Sequence, residues 1–240
     1  MIKRIINKVR ETRWLYYLNR TKVRVAAGSS FKVGEKTALK RCTIHVVNGS
    51  LLIGEGCILD GVSIYINSGT VVLGKNSIIR GLPDCQILID GGDLSTFDHS
   101  RIQCKRIWVR FGGVLSVGRY TTINEGSEIR CDERITIGSY CQISHDVNIW
   151  DTNTHCISTI EERKDSFETH FPYFGKEFKR PKTNPIAIGD FCWIGERSAL
   201  LKGTELGNNV TIGFNTTVIN QKISENNTVV TNIDNLILPG

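Results

Sequence analysis

The side chain of this sequence best suited to acid–base chemistry is His155, which ends the polar run Asp151-Thr152-Asn153-Thr154-His155. An imidazole titrates near neutral pH and can take a proton from an alcohol. A carboxylate or amide oxygen that accepts the second ring N–H fixes the tautomer, which either Asp151 or Asn153 could do. Asp151 could equally form a turn, and spacing does not choose between these roles. His155 is therefore a candidate general base, with an ordinary surface-loop histidine as the alternative.

Two nearby residues offer rival chemistry. His145 follows Ile143 by two residues and is expected to point outward from a regular segment. Cys156 adjoins His155, but neighbouring side chains of an extended segment point apart, which disfavours a nucleophile–base pair. Neither residue displaces His155 as the favoured base.

The polar run interrupts a regular pattern of apolar residues. We expect the segments with this pattern to form the scaffold that holds the polar run in place. Upstream, Ile143, Val147 and Ile149 are apolar at even spacing, and the interruption extends from about Asp151 to Pro185. Loops held on a rigid scaffold commonly carry binding and catalytic residues. We therefore expect the chemistry to lie at this break.

The pattern itself is an internal repeat of six residues. Neither an α-helix nor a plain alternating strand produces that period, whereas a solenoid of short strands joined by turns does. Gly follows four of the repeated aliphatic residues and supplies the permissive backbone that a turn needs. The unbroken series is Ile188, Ile194, Leu200, Leu206, Ile212 and Val218.

A second period, of twenty residues, links the N-terminal half to the same architecture. Val33, Ile53 and Leu73 each precede Gly at this interval, and Val117 and Ile137 repeat it. Twenty is three sixes plus two, which predicts a three-sided coil with a small bulge at one corner. Between about residues 85 and 115 the spacing of the aliphatic residues is irregular, and the sequence does not predict where the strands lie there.

Small side chains occupy the position four residues after each leading aliphatic residue. A second inward position in a narrow coil requires small residues, so Cys57, Cys141 and Cys192 are interpreted as core residues rather than metal ligands or disulfide partners. The whole set is Cys57, Ser77, Thr121, Ser127, Cys141, Val147, Cys192, Ser198, Thr204, Val210 and Thr216.

Composition and charge argue against a membrane-spanning protein, a secreted protein and a nucleic-acid-binding protein. The 240 residues are 40% hydrophobic, with no apolar run of the ~20 residues that a membrane span requires. Scattered N-terminal charges also argue against a secretory signal, so we predict a cytoplasmic protein. Residues 1–24 hold eight Lys and Arg against one Glu, which leaves the rest of the chain, of total net charge +6, nearly neutral. A near-neutral body argues against a nucleic-acid groove.

The basic segment 1–24 is predicted to contain a short amphipathic helix. Ile2, Ile5, Ile6 and Val9 fall at helical spacing among the basic residues. Such a helix could touch an anionic membrane surface weakly, or could pack its apolar face on the main domain.

The hexads, with Trp193-Ile194-Gly195 among them, resemble the hexapeptide-repeat acyltransferases. The resemblance covers most of residues 30–235 and is densest in the last half. It implies a mainly β fold, a left-handed parallel β-helix over residues 25–240 with a loop at about 151–185. Handedness comes from the family alone, because general crossover rules favour the right-handed form.

The resemblance also assigns roles to single residues. Sugar O-acetyltransferases of surface-polysaccharide pathways often read D-T-D-x-H before the loop, where this chain departs at one carboxylate; this implies that His155 is the general base. In the galactoside and maltose acetyltransferases, residues at the positions of Asn124 and Asp132 contact the acceptor sugar. A twenty-residue period would bring residues 121–138 beside the catalytic segment. Asp151 and Asn153 are counted with them as candidate residues for binding the acceptor sugar. Asn124 and Asp132 could instead be turn residues.

In the family, acetyl-CoA lies along a groove between neighbouring β-helices and is held largely by backbone groups. By match to the motif, the donor-binding positions here are Trp193, Glu196, Phe214, Ile219 and Asn220. The chain departs from the usual Thr-Lys nearby, and it ends in TNIDNLILPG rather than a G-N-P-A segment. These departures argue against a specific contact from a lysine side chain to the donor. Donor contacts made by backbone groups can survive them.

Together these observations predict an acetyl-CoA-dependent sugar O-acetyltransferase of capsule or lipopolysaccharide biosynthesis, acting as a homotrimer without a metal. A sugar N-acyltransferase is the main alternative among enzymes, and a non-catalytic scaffold is the alternative outside them. The zinc hydratases of the same fold need an H-x4-H pair, which the five histidines do not form.

Overall fold

The computed structural model describes residues 13–172 and 179–232, with only the backbone for residues 13–18 and 82–84. Within these residues the chain forms one helix and 23 short or bent strands. The strands are β1 Arg13–Leu18, β2 Thr21–Ala26, β3 Ser30–Val33, β4 Ala38–Lys40, β5 Thr43–Val46, β6 Gly49–Ile53, β7 Ile58–Leu73, β8 Ile78–Thr96, β9 Arg101–Ile102, β10 Arg106–Val117, β11 Thr122–Ile123 and β12 Glu128–Cys131. They continue as β13 Arg134–Ile137, β14 Gln142–Ile143, β15 Asn148–Trp150, β16 Ile186–Ile188, β17 Trp193–Ile194, β18 Ala199–Leu201, β19 Glu205–Leu206, β20 Thr211–Ile212, β21 Thr217–Val218, β22 Lys222–Ile223 and β23 Thr228–Val229, with helix α1 Ile160–His170 between β15 and β16.

The strands stack in parallel register into three faces of a β-helix. Face A runs through β2, β5, β12, β15, β18 and β21; face B through β3, β6, β13, β16, β19 and β22; face C through β4, β9, β11, β14, β17, β20 and β23. The long strands β7, β8 and β10 bend around corners and contribute to more than one face. The three-sided coil predicted from the sequence is thereby confirmed.

The twenty-residue period is the step from one coil to the next. Val33 pairs with Ile53, Ile53 with Leu73, and Val117 with Ile137. The aliphatic residues of this series, apart from Val33, are buried in a continuous core along the rod, while Val33 is 39% exposed. The stretch in which the period blurred is filled by β8, β9 and β10, whose register shifts near Gly113.

The small corner residues are buried, as predicted. The structure also shows that the hydroxyl and thiol groups among them form hydrogen bonds. Thr121 Oγ1 donates to the Gly138 carbonyl at 2.7 Å, and Ser198 Oγ donates to the Gly213 carbonyl at 2.7 Å. Cys57 Sγ does the same toward Gly74 at 3.0 Å. A small side chain with a hydroxyl or thiol therefore fills the corner and satisfies a carbonyl of the next coil.

Gly after the leading aliphatic residue has a different role from the predicted one. Gly54 does not have a positive φ, so turn geometry does not require it there. Instead, a Cβ at Gly54 would lie 2.8 Å from the Leu73 carbonyl oxygen. Close approach of the neighbouring coil, rather than backbone freedom, excludes a side chain at this position.

The N-terminal segment is only partly covered. The predicted amphipathic helix concerns residues 2–9, which lie outside the described residues. Strand β1 pairs antiparallel with β2, and β2 already pairs in parallel with β5. The predicted domain boundary at residue 25 consequently falls inside β2.

Helix α1 has eleven residues, none of them buried, and no helix within the described residues is long and apolar enough to cross a membrane.

All eight cysteines are free thiols, and only Cys156 among them is partly exposed. Burial raises the pKa of the Cys57 thiol, which disfavours the reactive thiolate. We expect a bulky maleimide to label the native protein at Cys156 and to reach Cys57, Cys141 and Cys192 only after denaturation. Mass spectrometry of native and denatured samples checks this, and rapid native labelling of those three would contradict the observed register.

Candidate functional site

The polar run begins where β15 ends, at the edge between faces A and B, which we call the loop edge. Asp151 is fully buried there. Its Oδ1 accepts the Asp132 N–H at 2.8 Å, and its Oδ2 accepts the N–H groups of Glu133 at 2.9 Å and Arg134 at 2.8 Å. The carboxylate of Asp151 thus ties the start of the loop to the corner of the preceding coil.

Burial raises the pKa of Asp151, and the backbone hydrogen bonds from Asp132, Glu133 and Arg134 oppose that shift because they favour the ionised form. Both carboxylate oxygens therefore have structural partners. The predicted roles of Asp151 in orienting His155 or binding the acceptor stay predictions, as does its alternative role in forming a turn.

The two ends of the loop are joined at its base. The Asn153 N–H donates to the Lys182 carbonyl at 3.0 Å, and the Asn184 N–H donates to the Asp151 carbonyl at 2.9 Å. An isolated antiparallel bridge also links Thr152 with the returning strand. The chain therefore leaves and re-enters the coil as a narrow neck, which fixes the backbone next to His155.

His155 lies just beyond this neck and is exposed. Helix α1 follows it, started by a capping box in which Thr159 Oγ1 accepts the Glu162 N–H at 3.2 Å and Glu162 Oε2 accepts the Thr159 N–H at 2.9 Å. The imidazole is consequently carried on a segment with ordered ends on both sides and is accessible to a substrate.

Asp132 is the second buried carboxylate at the loop edge. It forms a bidentate ion pair with Arg110, with Nε–Oδ1 and Nη2–Oδ2 distances of 2.9 and 2.7 Å. The Arg110 guanidinium also lies over the Trp108 ring, 4.3 Å from its centroid. Asp132 therefore lies beside the segment that carries His155, and its carboxylate is occupied by Arg110.

Sequence reasoning missed a neighbouring polar cluster. Thr183 Oγ1 donates to Glu133 Oε2, and Arg180 Nη2 lies 3.4 Å from the same oxygen. Glu133 belongs to the coil before the loop, whereas Thr183 and Arg180 belong to its returning end. The twenty-residue period, which places residue 133 level with residue 153, is the signal that could have identified Glu133.

Asn124 lies elsewhere. Its N–H donates to the Ile143 carbonyl at the corner between faces C and A, which we call the Asn124 edge. The prediction that residues 121–138 lie beside the catalytic segment therefore holds for Asp132 and is wrong for Asn124. The rival base His145 lies at this same edge, because its carbonyl accepts the Arg197 N–H there.

Three of the predicted donor-binding residues gather near the Asn124 edge of the C-terminal coils. Trp193 and Phe214 are 52% and 60% exposed, which is unusual for aromatic side chains. Trp193 Nε1 donates to Ser144 Oγ at 3.2 Å, and Glu196 pairs with Arg197 at 3.7 Å. The predicted residues Trp193, Glu196 and Phe214 are therefore accessible at one edge.

The other two predicted donor-binding residues, Ile219 and Asn220, lie at the loop edge. Asn220 Oδ1 accepts from Asn184 Nδ2 at 3.3 Å, which joins it to the returning end of the loop. Ile219 is 42% exposed. The predicted site residues thus fall into two groups, one at each side of face A, and only the loop-edge group lies with His155.

Among residues 13–172 and 179–232, no cluster of three or more His, Cys, Asp or Glu residues has a geometry that could hold a metal ion.

One stretch of the chain matches a known family of repeats. Residues 185–220 match the family of bacterial transferase hexapeptide repeats, six repeats in all. A lipopolysaccharide biosynthesis O-acetyl transferase of Escherichia coli (strain K12), WbbJ, is 29% identical over 117 residues. That match covers 49% of this chain and 56% of WbbJ, so the chain spans little more than half the length of that relative.

A solved structure shares the fold. The polySia specific acetyltransferase NeuO superposes with a TM-score of 0.56 at 20% identity, over 85% of this chain and 79% of NeuO. Residues 185–220 of this chain therefore match bacterial transferase hexapeptide repeats, its fold is a left-handed parallel β-helix, and its sequence resembles that of an O-acetyl transferase.

Proposed function

We propose that this chain transfers an acetyl group from acetyl-CoA to a sugar hydroxyl of a surface polysaccharide. The observation that carries the proposal is the placement of His155: an exposed imidazole just past a neck that the buried Asp151 anchors to the preceding coil. WbbJ is named as an O-acetyl transferase of lipopolysaccharide biosynthesis and NeuO as a polySia specific acetyltransferase, and both names support a polysaccharide acceptor.

In the proposed mechanism His155 takes the proton of the acceptor hydroxyl while the hydroxyl oxygen attacks the thioester carbonyl. The oxyanion that forms is stabilised by a backbone N–H. It collapses to the acetyl ester and coenzyme A, whose sulfur receives the proton from the imidazolium. Holding both substrates in one groove supplies much of the rate by proximity, and no metal is required.

The acceptor is proposed to contact Asn124 and Asn153, whose amides are directional donors and acceptors suited to hydroxyl groups. We assign Asp151 and Asp132 positioning roles instead, because Asp151 accepts three backbone N–H groups and Asp132 pairs with Arg110. This replaces direct substrate binding by those two carboxylates.

The donor is proposed to lie against Trp193, Glu196 and Phe214, and to meet Ile219 and Asn220. Because these residues lie at two edges on either side of face A, one chain does not bring them together around a single ligand. We therefore propose a homotrimer in which the loop edge of one copy faces the Asn124 edge of the next.

Eight free cysteines fit the reducing cytoplasm, where we propose the protein works.

Calorimetry with acetyl-CoA tests the donor half of this proposal. The wild-type protein is expected to bind acetyl-CoA, whereas a non-catalytic scaffold would not. If a transferred acetyl group is stable to alkali, as an amide is, the acceptor atom is nitrogen, and the reaction is that of a sugar N-acyltransferase. An alkali-labile ester supports the proposed O-acetyltransferase.

Replacing Trp193 by Ala is expected to weaken acetyl-CoA binding by about tenfold, in line with the loss of an exposed aromatic contact. Trp193 is half exposed, so the melting temperature should change little. The matched control is Tyr65→Ala, an aromatic residue on β7 in the N-terminal coils. If the wild type and Trp193→Ala bind acetyl-CoA with equal affinity, Trp193 is not part of the donor site.

A further inference from the structure

The positive charge of this chain is concentrated at its N-terminal end. Residues 1–47 contain twelve Lys and Arg against two Glu, whereas residues 48–240 contain eighteen Lys and Arg against twenty-two Asp and Glu. The first segment therefore carries a net charge of +10 and the second a net charge of −4, which together give the +6 of the whole chain. Charge asymmetry of this kind points to an anionic partner.

Within the described residues, this charge forms a band around the first coil of the rod, which we call the basic collar. Face A contributes Lys22 and Arg24 on β2, face B contributes Lys32 on β3, and face C contributes Lys40 on β4. Three further cations occupy the corners, and every member except Arg24 is exposed. The basic collar consists of Arg20, Lys22, Arg24, Lys32, Lys36, Lys40 and Arg41.

Most of the basic collar is not neutralised by carboxylates. Lys36 Nζ lies 3.7 Å from Glu55 Oε1, and Arg41 Nη2 lies 2.7 Å from Asp60 Oδ1. Among residues 13–172 and 179–232, no carboxylate forms an ion pair with the other five members. The collar therefore keeps an excess of positive charge in solvent.

Three of these cations converge on one shallow groove. Arg20, Lys40 and Arg41 line it together with Asn19 and Asp60. Arg41 is fixed there by two contacts to the same oxygen of Asp60, from Nε at 2.9 Å and from Nη2 at 2.7 Å. One carboxylate beside three cations leaves the groove positive, which suits a phosphate group.

The shape of the basic collar determines which anionic partner fits it. Lys22, Lys32 and Lys40 stand on three different faces, so a single linear polymer that follows one face would contact only part of the collar. A flat surface that meets the end of the rod is close to all three faces at once. Attraction between charges extends over about 8–10 Å at physiological ionic strength. The collar occupies one coil of about 5 Å, and β1 adds one further strand beyond β2, so a surface at this end lies within that range.

We propose that the basic collar is a docking surface for an anionic lipid bilayer, on which the rod stands by its N-terminal end. Lipid phosphates then face the collar cations, and each Lys or Arg near such a surface strengthens binding by about fivefold.

Docking by this end leaves the proposed site open. Six steps of the parallel ladder lead from Lys22 to Asn148, the first residue of the last strand before the loop. At about 4.8 Å a step, that separation is about 29 Å. His155 therefore lies outside the contact with the bilayer, and the docking proposal does not depend on the proposed acetyl transfer.

The experiment is co-sedimentation of the full chain with vesicles of phosphatidylcholine alone, or of phosphatidylcholine mixed with an equal amount of phosphatidylglycerol. The test variant combines Lys22→Gln, Lys32→Gln and Lys40→Gln, which removes one exposed charge from each face and keeps side chains of similar length. The wild type should bind the mixed vesicles, and the test variant should bind them ~100-fold more weakly. Added salt should weaken the binding of the wild type.

The matched control combines Lys105→Gln, Arg119→Gln and Lys222→Gln, which are three exposed cations outside the basic collar. The control has the same net charge as the test variant and should bind the mixed vesicles like the wild type. Thermal melts of both variants check that they are folded.

Failure of the wild type to bind the mixed vesicles overturns the proposal, and so does equal binding to phosphatidylcholine alone. Equal weakening in the test and control variants would mean that total charge matters rather than the collar, and unchanged binding of the test variant would assign binding to other residues; both outcomes overturn the proposal. Soluble polysialic acid that binds the wild type, when vesicles do not, overturns it in favour of a polymer site. Thiol release from acetyl-CoA is scored separately, so failure of docking and failure of the proposed reaction remain distinguishable.

Discussion

His155→Ala is expected to lower kcat for acetyl transfer by roughly 10²–10⁴-fold, the usual contribution of a positioned general base. The imidazole is exposed beyond the neck of the loop. The melting temperature and the affinity for acetyl-CoA should therefore stay close to those of the wild type. Steady-state kinetics with thiol detection, alongside a thermal melt and calorimetry, separate the loss of catalysis from loss of fold.

The matched control is His145→Ala. His145 is also exposed, lies one corner before the loop and sits at the Asn124 edge rather than the loop edge. It should change kcat much less than His155→Ala does. Equal losses of activity in the two variants would mean that the base has been assigned to the wrong residue.

Asp151→Ala should destabilise the fold strongly. It leaves three N–H groups, those of Asp132, Glu133 and Arg134, without their buried acceptor. Buried hydrogen-bonding groups that lose a charged partner cost on the order of 3 kcal/mol together. For a chain of this length that lowers the melting midpoint by roughly 6–12 °C.

Asp151→Ala should also lower kcat, because the neck that holds the backbone next to His155 begins at Asp151. Thermal melting followed by activity measurements well below the midpoint distinguishes the two effects. The control is Asp165→Ala, an exposed carboxylate on α1, which should leave both quantities nearly unchanged. If Asp151→Ala melts like the wild type, the three hydrogen bonds do not anchor the loop.

The six-residue period predicted the β-helix well because each period places one aliphatic residue inside the coil. Ile188, Ile194 and Leu200 are at most 3% exposed, and every small corner residue of the sequence pattern is buried. Burial in a solenoid depends on position within the coil alone, so a short-range pattern was sufficient.

The site was harder to predict because its partners are backbone groups of another coil. Nothing in the spacing of Asp151 indicates that its oxygens accept N–H groups 17 to 19 residues upstream. Asn124 was misplaced for a related reason. The period brings residue 124 level with residue 144, at the Asn124 edge, whereas the loop leaves from the next corner of the coil.

We propose that this chain moves an acetyl group from acetyl-CoA to a sugar oxygen with His155 as the base. The direct measurement supplies acetyl-CoA and a panel of polysaccharides and nucleotide sugars to the wild type and to His155→Ala, and follows free thiol and product together. The wild type is expected to release thiol and to form an alkali-labile acetyl ester in equal amounts. His155→Ala is expected to be nearly inactive. Absence of both donor binding and thiol release across the panel would contradict this proposal.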